Sequence, residues 1–284
     1  MARDGSMKPP GDPPLACSVR GCGAALARGE RVLVCPRGHA FDRAKSGYVN
    51  LIQPQDRRSL AAGDARVELE ARGRLWAAGA GEALRAELAL RVGELGLAPG
   101  AVALELGCGT GEMLAALAET HALAAIGIDL ASSAIDLAAR RFPALTWVVA
   151  NADRRLPVLD GSVALVLVIH GRRNPAECAR VLTSGGHLVA ALPAPDDLAE
   201  LRALVQGESV PRERVGTFLA EHEALFEPCA RSAARARHRF TRPALLDLLA
   251  GTYRGARKSA AAAIEALDEL TVTLASDVLV LRRR

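Results

Sequence analysis

Short apolar runs alternate with segments of helical periodicity over the second two thirds of the chain. The apolar runs predict β-strands at 101–106, 124–129, 145–150, 163–169 and 187–192. Between them, the spacing of apolar residues predicts helices at 110–119, 132–141 and 174–182. Because strands and helices alternate and the strands are apolar throughout, we expect a parallel sheet covered on both faces. Two later runs, 270–275 and 278–282, are expected to form an antiparallel pair that closes the sheet.

The length of 284 residues suits one large α/β domain and one small module. We expect a flexible tail at 1–14, a cysteine-rich module at 15–55, a linker with a helical segment at 56–90, and the α/β domain at 91–284. No run of about 18 apolar residues occurs, so no membrane-spanning helix is expected. The polar N-terminus lacks the apolar segment of a secretory signal. We therefore expect a cytoplasmic protein without a membrane partner.

Four potential metal ligands are concentrated near the N-terminus. Cys17 and Cys22 form one pair, and Cys35 and His39 follow as a second pair after twelve residues. Two such pairs of thiolates and imidazole can surround one tetrahedral Zn²⁺. The alternative is a chance cluster of buried thiols. Since four protein ligands leave no open position on the metal, the spacing favours a structural zinc, which would supply folding free energy to a short segment.

The charge of the chain permits an anionic partner without requiring one. The formal net charge is +4 and the pI is about 8.9, which allows binding to RNA. Only three of the 36 basic residues are lysines, a bias that makes any single arginine weak evidence for function. Aromatic residues make up 3% of the chain, which limits the surfaces on which bases could stack.

A glycine-rich loop follows the first strand of the α/β domain, from Glu105 to Gly111. Such loops let the backbone turn tightly and approach a ligand at the carboxyl edge of the sheet. A dinucleotide is one alternative, but Asp129 after the second strand and an Asn-Ala-Asp sequence after the third favour S-adenosylmethionine. Asp129 would bind the ribose, and the Asn-Ala-Asp sequence would flank the adenine. The expected cofactor-binding residues here are Glu105, Gly107, Gly109, Thr110, Gly111, Asp129, Leu130, Asn151, Ala152 and Asp153.

The module and the α/β domain together resemble one family, the large-subunit ribosomal RNA guanine-N1 methyltransferases. The most specific stretch runs from Cys35 to Leu51, and Gly63-Asp64 before an arginine-rich helix with Arg66, Arg72 and Arg74 also matches. The resemblance implies a class I methyltransferase domain, which is Rossmann-like and doubly wound with a mostly parallel seven-stranded sheet. It also implies zinc bound by Cys17, Cys22, Cys35 and His39, and cofactor contacts at Gly109 and Thr110.

Three segments depart from the pattern of that family around the expected active site. The segment 79–84 has Gly81 where the family carries a tyrosine, His170-Gly-Arg-Arg173 replaces a Tyr-Ala-Pro phrase, and Ala194-Pro-Asp-Asp197 replaces a basic phrase. We therefore expect the chain to keep the architecture of the family, whereas these segments do not determine which substrate it methylates. An antibiotic-resistance or otherwise specialised paralogue would show this pattern.

The two departing loops supply the candidates for catalysis. His170 and Asp197 are expected to lie beside the cofactor, and each is a candidate to accept the proton that a guanine N1 must lose. Asp153 is a third candidate, although its position favours contact with adenine. Asp197 has the alternative role of capping the next helix. Arg172 and Arg173 are candidates for a phosphate contact, with solvated surface charges as the alternative.

Three functions remain open at this point. The first is base methylation of ribosomal RNA, with the zinc module and the arginine-rich helix gripping the RNA. The second is methylation of a small molecule in a secondary-metabolite pathway, which the low aromatic content and the acidic pair Asp196-Asp197 favour. The third is a non-catalytic RNA-binding protein that retains the cofactor pocket. Ribosomal RNA is the expected partner, and a homodimer is an open alternative to a monomer.

Overall fold

The computed structural model describes residues 12–53, 65–207, 213–252 and 258–284. The expected tail lies outside the described residues as far as position 11, and so do Gly63 and Asp64. The strands are β1 (Ala27–Arg28), β2 (Val32–Val34), β3 (Ala40–Asp42), β4 (Val49–Asn50), β5 (Val102–Leu106), β6 (Ala124–Asp129), β7 (Thr146–Val149), β8 (Val163–Ile169), β9 (Leu182–Pro193), β10 (Phe226–Thr241) and β11 (Glu269–Arg283). The helices are α1 (Arg66–Ala77), α2 (Glu82–Glu94), α3 (Glu112–His121), α4 (Ser132–Arg141), α5 (Pro175–Val181), α6 (Ala199–Gln206), α7 (Val215–His222), α8 (Arg242–Thr252) and α9 (Lys258–Glu265).

The larger sheet has the strand order β10-β11-β9-β8-β5-β6-β7-β4. Strands β4 to β9 in this sheet pair in parallel, whereas β11 and β10 are antiparallel. The expected doubly wound, mostly parallel sheet is confirmed, and its seven strands come from the α/β domain. An eighth strand, β4, comes from the cysteine-rich module and extends the sheet beyond β7.

Both faces of the sheet are buried, which explains why its central strands are apolar throughout. On one face, alternate strand residues such as Ala103 and Leu165 pack against α2, α3 and α4. On the other face, Leu104 and Val166 pack against α5, α7 and the cysteine-rich module, including Leu33. The module therefore covers a sheet face that the sequence assigned to helices.

The module consists of a three-stranded antiparallel sheet, β1-β2-β3, followed by β4. Val49 in β4 pairs with Val148 in β7, and the Ser46 hydroxyl donates a hydrogen bond to Asp136 in α4 at 2.7 Å. Leu15 forms an isolated bridge with Val158. Because these contacts join the two parts into one hydrophobic core, the boundary expected near residue 55 separates segments of sequence that pack together.

The expected closing pair of strands at 270–275 and 278–282 is wrong. These segments form one continuous strand, β11, whose antiparallel partner is β10. Ser276 and Asp277 interrupt the apolar pattern and therefore resemble a turn, but both are buried inside β11. Asp277 pairs there with Arg231 of β10, with 3.5 Å between the charged groups.

A helical cap covers the ends of the β10–β11 pair and borders the carboxyl edge of the sheet. It contains α1, α6, α8 and α9, which share a buried cluster with β10 and β11. Arg74 in α1 donates two hydrogen bonds to Asp247 in α8, at 2.8 and 2.6 Å, and fixes these two helices to each other. Among the described helices, none is long and apolar enough to cross a membrane.

Candidate active site and candidate metal centre

The four predicted metal ligands converge in the module. The ligand atoms of Cys17, Cys22, Cys35 and His39 all lie within 4.8 Å of one another. His39 Nδ1 is 3.4 Å from the sulfur atoms of Cys17 and Cys35, and the sulfurs of Cys22 and Cys35 are 3.8 Å apart. A tetrahedral zinc with bonds of about 2.3 Å to sulfur and about 2.0 Å to nitrogen requires S–S edges of ~3.8 Å and S–N edges of ~3.5 Å. The donor set and its geometry therefore fit Zn²⁺.

Two tight turns present these ligands. In the first, the Cys22 amide donates to the Val19 carbonyl at 2.9 Å, so the turn absorbs the wide spacing between Cys17 and Cys22. In the second, the Cys35 amide donates to the His39 carbonyl at 3.0 Å. Gly38 inside that turn has φ +82°, a conformation that favours glycine. Four protein ligands complete the coordination, which makes the site structural.

The glycine-rich loop leaves the carboxyl end of β5 and leads into α3. Gly107, Gly109 and Gly111 have φ values of +75°, +55° and +82°. A side chain at Gly111 would overlap the ring of Trp147, which lies beneath the loop on β7. At Gly109, a Cβ would meet no atom within 4 Å, so the backbone there faces open space. The loop therefore packs against Trp147 on the side of the sheet and is open on the side of Gly109, where a ligand could bind.

Asp129 at the end of β6 holds this loop in place. One carboxylate oxygen accepts the Gly109 amide at 2.9 Å, and the other accepts the Ala131 amide at 2.8 Å. The ends of β6 and β7 are neighbours, since the Ala150 amide donates to the Asp129 carbonyl at 3.0 Å. This arrangement brings the expected ribose and adenine residues to one edge of the sheet.

The expected adenine residues form a local turn after β7. The Asn151 side-chain oxygen accepts the Asp153 amide at 3.0 Å, and the Asp153 carboxylate pairs with Arg172 at 3.1 Å. Asn151 is buried and lines a cavity of about 410 Å³ shared with Cys17 and Cys22 of the module. The turn therefore lies between the glycine loop and the metal centre.

A cavity of about 770 Å³ lies between the glycine loop and the helical cap. Its volume is within the range of small-molecule sites. Six of the predicted site residues line it, namely Glu105, Gly107, Gly109, Thr110, His170 and Asp197. The other predicted cofactor residues are not part of this lining and lie at the edge described above: Gly111, Asp129, Leu130, Asn151, Ala152 and Asp153.

Glu105 is a buried carboxyl group at the base of this cavity. One of its oxygens has no hydrogen-bond partner among the described residues. Burial, together with the nearby charges of Asp129 and Glu112, raises the pKa of Glu105 to about 8. A cationic ligand would relieve this situation, because it would stabilise the ionised form of Glu105 beside the charges of Asp129 and Glu112. S-adenosylmethionine carries a sulfonium and an ammonium group, so the acidic cradle fits that cofactor.

His170 and Asp197 both contact β11, which lies between β10 and β9 in the sheet. His170 Nε2 shares a hydrogen bond of 2.8 Å with the Ser276 hydroxyl, and an Asp197 oxygen accepts the Ala275 amide at 2.9 Å. His170 has φ +52°, and Leu198, which follows Asp197, has φ +55°. Positive φ values at non-glycine residues are strained and concentrate at functional sites.

The surroundings of His170 and Asp197 shift their pKa values and so determine their charges near neutral pH. The His170 ring is exposed to the cavity, but protein surrounds it on its other sides, and this desolvation lowers the pKa of His170 to about 4. Burial also raises the pKa of Asp197 to about 6, against the opposing effects of the Ala275 amide and Arg202. Near neutral pH, His170 is therefore uncharged and Asp197 is a carboxylate of increased basicity.

The two arginines after His170 do not line this cavity. Arg172 pairs with Asp153, whereas Arg173 pairs with Glu221 at 2.8 Å and lies over the Phe218 ring. The phosphate contact of these arginines therefore stays a prediction, with solvated surface charges as its alternative. The sequence instead missed Ser276, which holds His170, and Trp147, which supports the glycine loop. A buried polar pair in an otherwise apolar strand was the available signal for Ser276.

Two family models match separate parts of the chain. Residues 16–60 match a zinc ribbon described as "RlmA, N-terminal", and residues 103–186 match "Methyltransferase domain". The zinc ribbon contains all four clustered ligands, and the methyltransferase model contains the glycine loop and the ends of β6 and β7.

Relatives match most of the chain. The 23S rRNA (guanine(748)-N(1))-methyltransferase of Streptomyces fradiae is 34% identical over 226 residues, covering 76% of this chain and 79% of that protein. A relative from Micromonospora griseorubida, which carries the provisional name 23S rRNA (guanine-N(1)-)-methyltransferase, is 33% identical over 259 residues, covering 84% and 85%. The YcgJ protein of Bacillus subtilis aligns structurally with a TM-score of 0.48 at 14% identity, over 69% of this chain and 96% of that one.

The glycine loop with its acidic cradle, the four-ligand centre and these similarities over most of the chain agree with one another. The chain belongs to the family of 23S rRNA guanine-N1 methyltransferases and is an S-adenosylmethionine-dependent methyltransferase with an N-terminal zinc ribbon.

Proposed function

We propose that the protein transfers the methyl group of S-adenosylmethionine to N1 of a guanine in large-subunit ribosomal RNA. The observation that supports this most directly is the cavity in which Asp197, a carboxylate of raised pKa, and the glycine loop face the same space. Relatives that match most of the chain are named for this reaction. The acceptor must lose a proton, which a carboxylate in that position would accept.

The residues of the glycine loop would hold the cofactor. S-adenosylmethionine supplies a methyl group that is already activated on a sulfonium, so the protein mainly has to bind and orient the two reactants. Gly107 and Gly109 would lie against the methionine part, and Glu105 would face its cationic groups. Asp129 would accept hydrogen bonds from the ribose, while Leu130, Asn151, Ala152 and Asp153 would flank the adenine.

Replacing Asp129 with Ala should weaken cofactor binding by roughly 1.5–3 kcal/mol, the range for losing a charged hydrogen-bond partner. The carboxylate also accepts the Gly109 and Ala131 amides, so its loss should loosen the loop as well. Titration calorimetry with S-adenosylmethionine measures the change. Asp136→Ala, on the neighbouring helix α4 and outside the cavity, is the control, and an unchanged affinity of Asp129→Ala would refute this role.

Asp197 is the candidate to accept the guanine N1 proton. Its pKa of about 6 leaves it ionised at neutral pH while making it a stronger base than an ordinary aspartate. His170, uncharged at that pH, would donate or accept one hydrogen bond and lies against Ser276. Both residues would therefore contact the acceptor or the cofactor, as their place in the cavity lining indicates.

The arginines of the helix expected to contact RNA are paired within the protein, which makes that helix a weaker candidate surface. Arg66 pairs with Glu70, Arg74 pairs with Asp247, and Arg72 donates to the Gly251 carbonyl at 3.0 Å. The zinc ribbon offers a better candidate surface. Its exposed basic residues are Arg20, Arg28, Arg31, Arg37 and Lys45.

Replacing Arg20 and Arg31 together with Ala should weaken RNA binding and make it less sensitive to salt. Each lost phosphate contact should lower the slope of log affinity against log salt by about 1. Filter binding to ribosomal RNA at several salt concentrations measures both effects. The matched control replaces Arg66 and Arg239, which are exposed but paired with Glu70 and Glu269. Equal slopes in both double variants would exclude this surface.

The small-molecule alternative rested on the low aromatic content of the chain and on the acidic pair Asp196-Asp197. Asp196 is paired with Arg235 at 3.1 Å, so half of that acidic character is neutralised within the protein. The deciding experiment offers the purified protein tritiated S-adenosylmethionine with stripped ribosomal RNA or with a mixture of small metabolites. Label in the RNA supports the proposal, label in metabolites alone supports the alternative, and label in neither supports a non-catalytic RNA-binding protein.

The biological setting forms a further part of the proposal. The loops at 170–173 and 194–197 depart from the family pattern at the cavity, which suits a specialised paralogue acting in antibiotic resistance. A change in antibiotic susceptibility on expression in a sensitive host tests this role. The homodimer and the cytoplasmic location remain expectations from the sequence.

A further inference from the structure

Trp76 is the only Trp, Tyr or Phe side chain among the described residues that line the 770 Å³ cavity. It lies near the end of α1 and is half-buried. The chain has two tryptophans, two tyrosines and five phenylalanines, so an aromatic surface in this cavity is not a result of general abundance. The other tryptophan, Trp147, is buried beneath the glycine loop.

The position of the Trp76 ring is defined by Gly81, which precedes α2. A Cβ at Gly81 would lie 2.7 Å from the indole, closer than real Cβ contacts allow. The backbone of residue 81 therefore lies directly against the ring. This contact restricts the ring and leaves its exposed part on the cavity.

Trp76 also borders a second space. A cavity of about 1480 Å³ extends along α3 and α4 to the zinc ribbon, where Arg28 and Arg43 line it. Trp76, Gly81 and Glu112 line both cavities. The indole thus stands at the boundary between the catalytic cavity and a groove with basic residues of the zinc ribbon.

We propose that the Trp76 indole is the surface on which the acceptor guanine stacks when it enters the catalytic cavity. This inference rests on the proposed function. A base that reacts at N1 must leave its stack and pair, and the enzyme must replace the lost stacking. Aromatic side chains do this for unstacked RNA bases, and among the described residues the indole is the one Trp, Tyr or Phe ring on this cavity wall. RNA held in the groove would present the base at this boundary.

The test compares Trp76→Ala, Trp76→Phe and Val67→Ala in the full-length protein. Val67 lies on the same helix, is 61% exposed and is not part of the cavity lining, so its variant is the matched control. Trp76→Ala should lower kcat/KM for ribosomal RNA by about 10-fold or more, the effect of losing one base–aromatic stack. Trp76→Phe should retain most of the activity, and all three should bind S-adenosylmethionine like the wild type.

A second readout does not depend on turnover. Stacking should quench the fluorescence of Trp76 when RNA is added with S-adenosylhomocysteine, and this quenching should be absent from Trp76→Phe but present in Val67→Ala. Wild-type activity of Trp76→Ala would overturn the stacking proposal while leaving the proposed function intact. Loss of cofactor affinity in Trp76→Ala would also overturn it, since the ring would then support the cofactor site. If the wild type methylates no RNA, the proposed function fails, and this inference fails with it.

Discussion

Replacing Asp197 with Asn should lower kcat by about 100-fold or more, within the range that general bases contribute. Asn has nearly the same shape and can still accept the Ala275 amide, so the loop should keep its structure. The side-chain amide of Asn, unlike the Asp197 carboxylate, cannot take up a proton. The measurement is single-turnover methyl transfer to ribosomal RNA at saturating cofactor, together with the affinity for S-adenosylmethionine, which should be unchanged.

The pH dependence provides a second prediction for the same residue. Because burial raises the pKa of Asp197 to about 6, the wild-type rate should fall as the pH drops through 6 and this carboxylate is protonated. The residual rate of Asp197→Asn should lack that step. Asp196→Asn is the matched control, since Asp196 is the adjacent carboxylate, pairs with Arg235 and does not line the cavity. Equal losses in both variants would argue against proton transfer to Asp197.

Replacing Cys35 with Ser should abolish stoichiometric zinc binding and unfold the zinc ribbon. Structural zinc supplies about 10–16 kcal/mol of apparent binding free energy in zinc-finger peptides, and a ribbon with three short strands has little core of its own. Elemental analysis and thermal unfolding measure these effects. Cys229→Ser, which removes an exposed thiol on β10 outside the cluster, is the control.

The Cys35→Ser variant also distinguishes the role of the zinc ribbon from that of the α/β domain. Binding of S-adenosylmethionine should be weakened but not abolished, because the glycine loop and Asp129 belong to the α/β domain, although the ribbon packs on the same sheet. Methyl transfer to RNA should be lost, since the ribbon carries the proposed RNA surface. Retained zinc at one atom per chain in Cys35→Ser would contradict the assignment of this ligand, and full RNA methylation without zinc would contradict the role of the ribbon.

The parts of the site that the sequence predicted are local. The four zinc ligands lie within 23 consecutive residues, and the cofactor residues lie at the carboxyl ends of apolar strands or in the loops that follow them. The carboxyl ends of parallel strands share one edge, so the loop after β5 and Asp129 after β6 had to be neighbours. For these strands, the apolar pattern of the sequence predicts both the strand and the position of the functional residue at its carboxyl end.

The parts that the sequence did not predict depend on contacts between distant segments. The sequence around Ser276 is typical of a turn. The role of Ser276 follows from its hydrogen bond with His170, which lies more than 100 positions earlier in the chain. Strand β10 is rich in arginine and alanine and lacks the large apolar residues that mark a strand. Its long antiparallel pairing with β11, a contact between distant segments, forms the strand. The proposed roles of Trp76 and Gly81 depend on the cavity between α1 and the glycine loop, which the sequence pattern does not reveal.

The most direct test of the central claim is nucleoside analysis of the reaction product. Purified protein, S-adenosylmethionine and stripped ribosomal RNA are incubated, the RNA is digested, and the methylated nucleoside is identified by mass spectrometry against authentic standards. The account predicts 1-methylguanosine, confined to large-subunit RNA, formed by the wild type and by Asp196→Asn and strongly reduced in Asp197→Asn. A different methylated nucleoside, or methyl transfer to small metabolites with none to RNA, would contradict it.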